Sequence, residues 1–194
     1  MICNQCPTRE IIIFIGKMQS GKTTAAECVE YSKYWDKTVL CECHKFATPH
    51  YDVLDVLGVP KHRSFMQDFS DLAKKHFGTE IFIDIMKENL STELRAWKED
   101  SDGLVLLFDD IRYPGELNTV RELAKTFDIR LTTIAIEASD EIRQARNSLT
   151  YSGQSHNSEI EIASLMAECD YTIRNESSEL DFVTEIEALL KGLE

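Results

Sequence analysis

The stretch "IIIFIGKMQSGKTT", residues 11–24, decides the fold. Ile11 to Ile15 form an apolar run with no polar interruption, the pattern of a parallel strand buried on both faces. Directly behind it, Gly16-Lys17-Met18-Gln19-Ser20-Gly21-Lys22-Thr23 fits G-x-x-x-x-G-K-[ST] in full. Glycines let the backbone curl until successive N–H groups converge on phosphate oxygens. A helix from Lys22 onward adds the positive end of its dipole. Lys22 can reach the β- and γ-phosphates, and the Thr23 hydroxyl can ligate Mg²⁺. ATP and Mg²⁺ are therefore the expected cofactors. Gly16, Met18, Gln19, Ser20, Gly21, Lys22, Thr23 and Thr24 are the expected binding residues.

Outward from this loop, strand and helix patterns alternate. After 11–15, strand candidates are 38–43 (TVLCEC), 103–110 (GLVLLFDD), 129–138 (IRLTTIAIEA) and 170–175 (DYTIRN). Helices are expected over 22–34, from a Thr48 cap with Pro49 at the first helical position, over about 64–97 with a break near Gly78, and over 114–127. Ser139-Asp140-Glu141 starts another helix, with acidic residues at its positive end. Ser158-Glu159-Ile160-Glu161 reads as a capping box. The last helix is expected to bury Leu180, Val183, Ile186, Leu189 and Leu190. Strands separated by helices imply parallel pairing and right-handed crossovers. The expected architecture is one α/β domain over 1–194, a P-loop three-layer sandwich with a five-stranded parallel sheet flanked by helices. Residues 44–98 exceed a simple crossover and read as a helical insertion. The polar segment 150–158 (TYSGQSHNS) reads as a loop between two helices.

A carboxylate should end another strand to complete the phosphate site. Asp109 and Asp110 close "LLFDD", where a carboxylate can hold the Mg²⁺ shell through water or bind a substrate group. Arg143 and Arg146 lie three apart on one helix face just before the polar loop. Swung in by a lid over 143–158, they can stabilise charge on a transferring phosphoryl group, while the lid excludes water. Arg112 follows the aspartates at the mouth of the sheet. Arg63 and Gln67 share a helix face, an arginine for a phosphate and an amide for a base edge.

These stretches resemble the phage-type deoxynucleoside monophosphate kinases, within the nucleoside monophosphate kinase group of P-loop proteins. "KFATPHYDVLDVLG", "RSFMQDF", "FDDIRYPGE", "SHNSE" and "DYTIRNESSELDFVTEIEALL" carry the resemblance over most of the length. It implies phosphoryl transfer from ATP to a nucleoside monophosphate. Phe46 and Gln67 would contact the acceptor base, Arg63 and Arg112 would hold its phosphate with Asp110 beside them, and Lys22, Arg112, Arg143 and Arg146 would act on the transferring group. A homodimer through the insertion and a location in the host cytoplasm are further implications. Two features depart from that family. "IFID" stands where many relatives carry an arginine after "FGTE", and Thr23 stands where many carry an acidic residue.

Composition limits the alternatives. The chain has 194 residues and a net charge of −13, which repels nucleic-acid backbones and anionic membranes in the absence of a basic block. It shows no apolar run of about 20 residues for a membrane span and no secretory signal pattern at its N-terminus, so a cytoplasmic location is expected. Of the six cysteines, Cys3-x-x-Cys6 and Cys41-x-Cys43-His44 give only weak metal-ligand spacing, and reduced structural thiols are expected. Two other readings stand beside the kinase: a non-catalytic regulatory nucleotide-binding module, and a kinase for a modified base in DNA or another small acceptor.

Overall fold

The computed structural model describes residues 9–32, 39–60, 62–97, 103–146 and 157–192. Cys3, Cys6, His156 and most of the expected lid lie outside the described residues, as do the side chains of Arg63 and of 157–160.

Strands β1 (Arg9–Ile15), β2 (Leu40–His44), β3 (Leu104–Phe108), β4 (Arg130–Glu137) and β5 (Tyr171–Arg174) form one sheet in the order β2-β3-β1-β4-β5. Every neighbouring pair is parallel. Ile11 to Ile15 of β1 are each at most 1% exposed, as their uninterrupted run requires. Alternation sorts them into two layers. Ile11, Ile13 and Ile15 face helices α4 (Ile81–Trp97), α5 (Pro114–Phe127) and α7 (Asn157–Met166), meeting Met86, Leu90, Val120 and Leu165. Ile12 and Phe14 face α1 (Lys22–Glu30) and α8 (Glu179–Gly192), meeting Ala25, Val29, Phe182 and Ile186. Each fully buried side chain of this size contributes about 1.5–3 kcal/mol of transfer free energy. The three-layer sandwich is thus as the sequence pattern anticipates.

Differences fall at element ends. The stripe of α8 is Phe182, Ile186 and Leu190, while Leu180 is 76% exposed. One residue every four along the helix keeps a single face toward the sheet, and Leu180 lies off it. Thr48 is not the cap of α2 (Thr48–Leu57). It is the first helical residue, with Ala47 before it, and the chain there is held instead by Asp110. The insertion is completed by α3 (Arg63–Phe77) and α4, with Gly58 (φ 66°) and Gly78 (φ 102°) ending α2 and α3. Short α6 (Asp140–Arg146) follows β4, and the Ser139 hydroxyl accepts the Ile142 N–H at its start.

Candidate functional site

The phosphate loop leaves the C-terminal end of β1, at the point where strand order reverses. Such crevices are where open parallel sheets bind ligands. Gln19 (φ 66°) and Gly21 (φ 105°) take left-handed conformations, curling the loop. Close packing leaves two of its glycines without room for a side chain unless a neighbour shifts. A Cβ on Gly16 would lie 2.4 Å from the Ile136 carbonyl oxygen, and one on Gly21 would lie 2.3 Å from Asn175 Nδ2. Within the loop, Ser20 N–H and Lys22 Nζ both donate to the Lys17 carbonyl, at 3.2 and 2.9 Å. Thr24 is half-buried on the first turn of α1.

The end of β3 supplies the carboxylates, and they differ. Asp109 faces the loop: its Oδ2 accepts the Thr23 hydroxyl at 2.7 Å and the Lys45 ammonium at 3.3 Å. Asp110 points toward the insertion, where its two oxygens accept the backbone N–H groups of Phe46 (3.0 Å) and Ala47 (2.9 Å). Burial pushes its carboxyl up to about 6, against the pull of those two N–H donors. Both oxygens thereby anchor the β2–α2 connection, which makes Asp110 a positioning residue, while Asp109 is the aspartate that stands against Thr23. Phe46 is 3% exposed and packs on Phe108 at 6.0 Å between ring centres, so it belongs to the core rather than to an open base site.

Arg112 is half-buried at the mouth of the sheet. Its N–H donates to Glu116 Oε2 at 2.7 Å, which also accepts the Tyr113 N–H at 3.1 Å. Burial, with the nearby Asp110 charge, pushes the Glu116 carboxyl up to about 7. Gln67 is half-buried on α3. The place where "IFID" replaces an arginine is packed: Ile83 Cδ1 would lie 2.9 Å from a Cβ on Gly115, and Phe82 stacks on His50 at 4.1 Å.

Arg143 and Arg146 do converge on the phosphate loop, but from its outer side. Arg143 is 3% exposed, donates to the Met18 carbonyl at 3.1 Å and pairs with Asp140. Arg146 donates to the Gln19 and Ser20 carbonyls at 3.2 and 3.3 Å and to Asn175 Oδ1 at 2.9 Å. Asn175 Nδ2 donates in turn to the Ser20 carbonyl at 2.9 Å. The loop's carbonyl oxygens are thus drawn outward, an arrangement that favours N–H groups turned inward. Beside Lys17 lies a cavity of about 490 Å³, bordered by Ile136, Ser139, Met166, Arg174 and Glu176. That volume falls in the range of small-molecule sites.

Sequence reasoning missed Lys45, Glu116 and the loop-holding role of Asn175. Lys45 carried a signal. His44 pairs with Phe108 in the parallel register, so the next residue on each strand, Lys45 and Asp109, must lie side by side. Strand alternation also bears on the Cys41-x-Cys43-His44 spacing. Cys41 and Cys43 pack with the α1–α8 layer, where burial pushes both thiols up to about 12. They therefore do not share a face with His44.

Thr23 and Asp109 present a hydroxyl and a carboxylate within 2.7 Å of each other, and the Lys45 ammonium shows that positive charge is favoured there. These hard oxygen donors fit Mg²⁺.

No family model matches the chain, and neither does any curated protein sequence. Solved structures do. The APS kinase CysC of Mycobacterium tuberculosis, in complex with AMPPNP and APS, superposes with a TM-score of 0.55 at 14% identity, covering 95% of this chain and 99% of that one. Shikimate kinase from Aquifex aeolicus gives 0.50 at 18% identity over 94% and 96%. A gluconokinase from Sinorhizobium meliloti gives 0.50 at 14% over 98% and 95%. With its parallel five-stranded sheet flanked by helices and a phosphate loop after the central strand, the chain has the P-loop kinase fold.

Proposed function

We propose that the protein transfers the γ-phosphoryl group of Mg·ATP to a small acceptor, and that the acceptor is a nucleoside monophosphate. The observation that carries the phosphotransferase reading is the assembly around Asp109. One carboxylate meets the Thr23 hydroxyl and Lys45 beside a complete phosphate loop. The solved kinases of the same fold, acting on small acceptors by name, support it. Bound Mg²⁺ would neutralise charge on the β- and γ-phosphates, with Thr23 and Asp109 as its protein partners. Lys22 binds the same phosphates. Arg143 and Arg146 hold the loop in the conformation that receives them, and Lys45 places a further positive charge at the reacting end. Arg112, Arg63 and Gln67 are the acceptor-side residues in this reading. The resemblance of "FDDIRYPGE" and "RSFMQDF" to the monophosphate kinases supports that choice, and an acceptor phosphate oxygen would attack in line.

The test is ADP formation with Mg·ATP and a panel of ribo- and deoxyribonucleoside monophosphates, with adenylyl sulfate, shikimate and gluconate beside them. One or a few preferred monophosphates are expected, and Lys22→Ala should lower that rate at least ~10³-fold. Turnover with a non-nucleotide acceptor would keep the phosphotransferase and discard the monophosphate. Tight ATP binding with no acceptor-dependent turnover would instead identify a nucleotide-binding regulatory module.

A further inference from the structure

We propose a second metal site, for one Zn²⁺ or a similar borderline divalent cation, formed by Glu42, His44 and Glu93. It stands apart from the phosphate loop. β2 is an edge strand, and Glu42 and His44, two residues apart, project from the same face of it. Helix α4 brings Glu93 to that face. His44 Nε2 lies 3.6 Å from Glu42 Oε2 and 3.4 Å from Glu93 Oε1. One ligand atom from each of the three residues lies within 4.8 Å of the other two.

The two His44 separations are close to the edges of a coordination polyhedron. Nitrogen and oxygen ligands about 2.0–2.1 Å from a tetrahedral Zn²⁺ are roughly 3.3–3.4 Å from one another. The chemistry agrees with the geometry. An imidazole nitrogen suits Zn²⁺, carboxylates supply the balancing charge, and Mg²⁺ has little use for a nitrogen donor. Two of the converging atoms, His44 Nε2 and Glu93 Oε1, are inaccessible to solvent and face each other at 3.4 Å. A cation placed between them would take both atoms as ligands at once. The Glu42 side chain is 44% exposed, so a fourth position for water is open at the sheet edge. Three protein ligands with one open position is a recurrent zinc arrangement. A metal here ties the edge strand to the last helix of the insertion, one residue before Lys45.

The experiment is a calorimetric titration of the full chain, freed of metal with a chelator, with ZnCl₂ in the presence of excess MgCl₂. One Zn²⁺ per chain is expected, with micromolar or tighter affinity undisturbed by Mg²⁺. His44→Ala and Glu93→Gln should each weaken it, the former at least ~100-fold, more than the loss of an outer-shell partner causes. Circular dichroism melts check that both variants fold. Glu42→Gln, on the partly exposed strand edge, provides the same test if His44→Ala does not fold. Substituted Co²⁺ should show the d–d bands of a low-symmetry site without a thiolate charge-transfer band. Absence of saturable Zn²⁺ binding overturns the proposal. So does equal binding by the folded variants, or a thiolate band, since either would place the metal at cysteines.

Discussion

Asp109 Oδ2 receives the Thr23 hydroxyl and the Lys45 ammonium, whereas its neighbour Asp110 binds two backbone N–H groups. The physical cause of this division is strand alternation. Consecutive residues at a strand end point to opposite sides, so one carboxylate reaches the phosphate loop and the other the insertion. Asp109→Asn keeps the shape but removes a negative charge opposite Thr23. It is expected to lower phosphoryl transfer by about 10²–10³-fold while leaving the fold intact. Steady-state rates at saturating Mg·ATP, with a melting curve alongside, check both halves of that expectation. An unchanged rate would remove Asp109 from the metal's partners. The "DD" pair was legible in the sequence as a carboxylate-bearing strand end. Which aspartate does which task depends on where the side chains point after β2 and β3 pair.

Helix α5 shows how an element's cap can be tuned by its surroundings. Glu116 sits in its first turn and reaches back to the N–H groups of Arg112 and Tyr113, which ordinarily favours an ionised carboxylate. Burial and the nearby Asp110 charge outweigh those donors, raising the group from 4.5 to about 7. Between these two values the folded state binds more protons than the unfolded state, so this group's contribution to stability falls as pH rises through that window. In Glu116→Gln the amide oxygen can still accept an N–H, and the charge is gone. Denaturant titrations from pH 4.5 to 7.5 should therefore show a shallower loss of stability with pH in the variant than in the parent chain. An identical slope would assign the pH dependence to other groups. The pattern of α5 as a helix over 114–127 was plain from Pro114 and its apolar spacing. The raised carboxyl was not, because burial is a property of the packed layers.

The candidate site draws Lys22, Asp109, Arg146 and Asn175 from four separate segments, joined through the loop and its neighbours. An unfolded chain has no such assembly, so nucleotide binding should stabilise the whole molecule. At 100 times its Kd, Mg·ATP is expected to add about 2.7 kcal/mol, which for a chain of this size raises Tm by roughly 5–11 °C. A scanning fluorimetry series with and without Mg²⁺ measures it, and no shift at saturating nucleotide would contradict ATP binding. Among the described residues no helix is long and apolar enough to cross a membrane. The sequence by itself determined the sheet, the phosphate loop and the succession of helices. Apolar periodicity follows directly from residue order, and a phosphate loop is built from contiguous backbone. Tertiary structure alone decided that Phe46 is buried in the core, that Asp110 anchors the β2–α2 connection, that Arg143 and Arg146 hold the loop's carbonyls, and that Lys45 stands against Asp109. Each of these depends on the direction and burial of side chains brought together from distant segments, which residue order constrains only after the strands have paired.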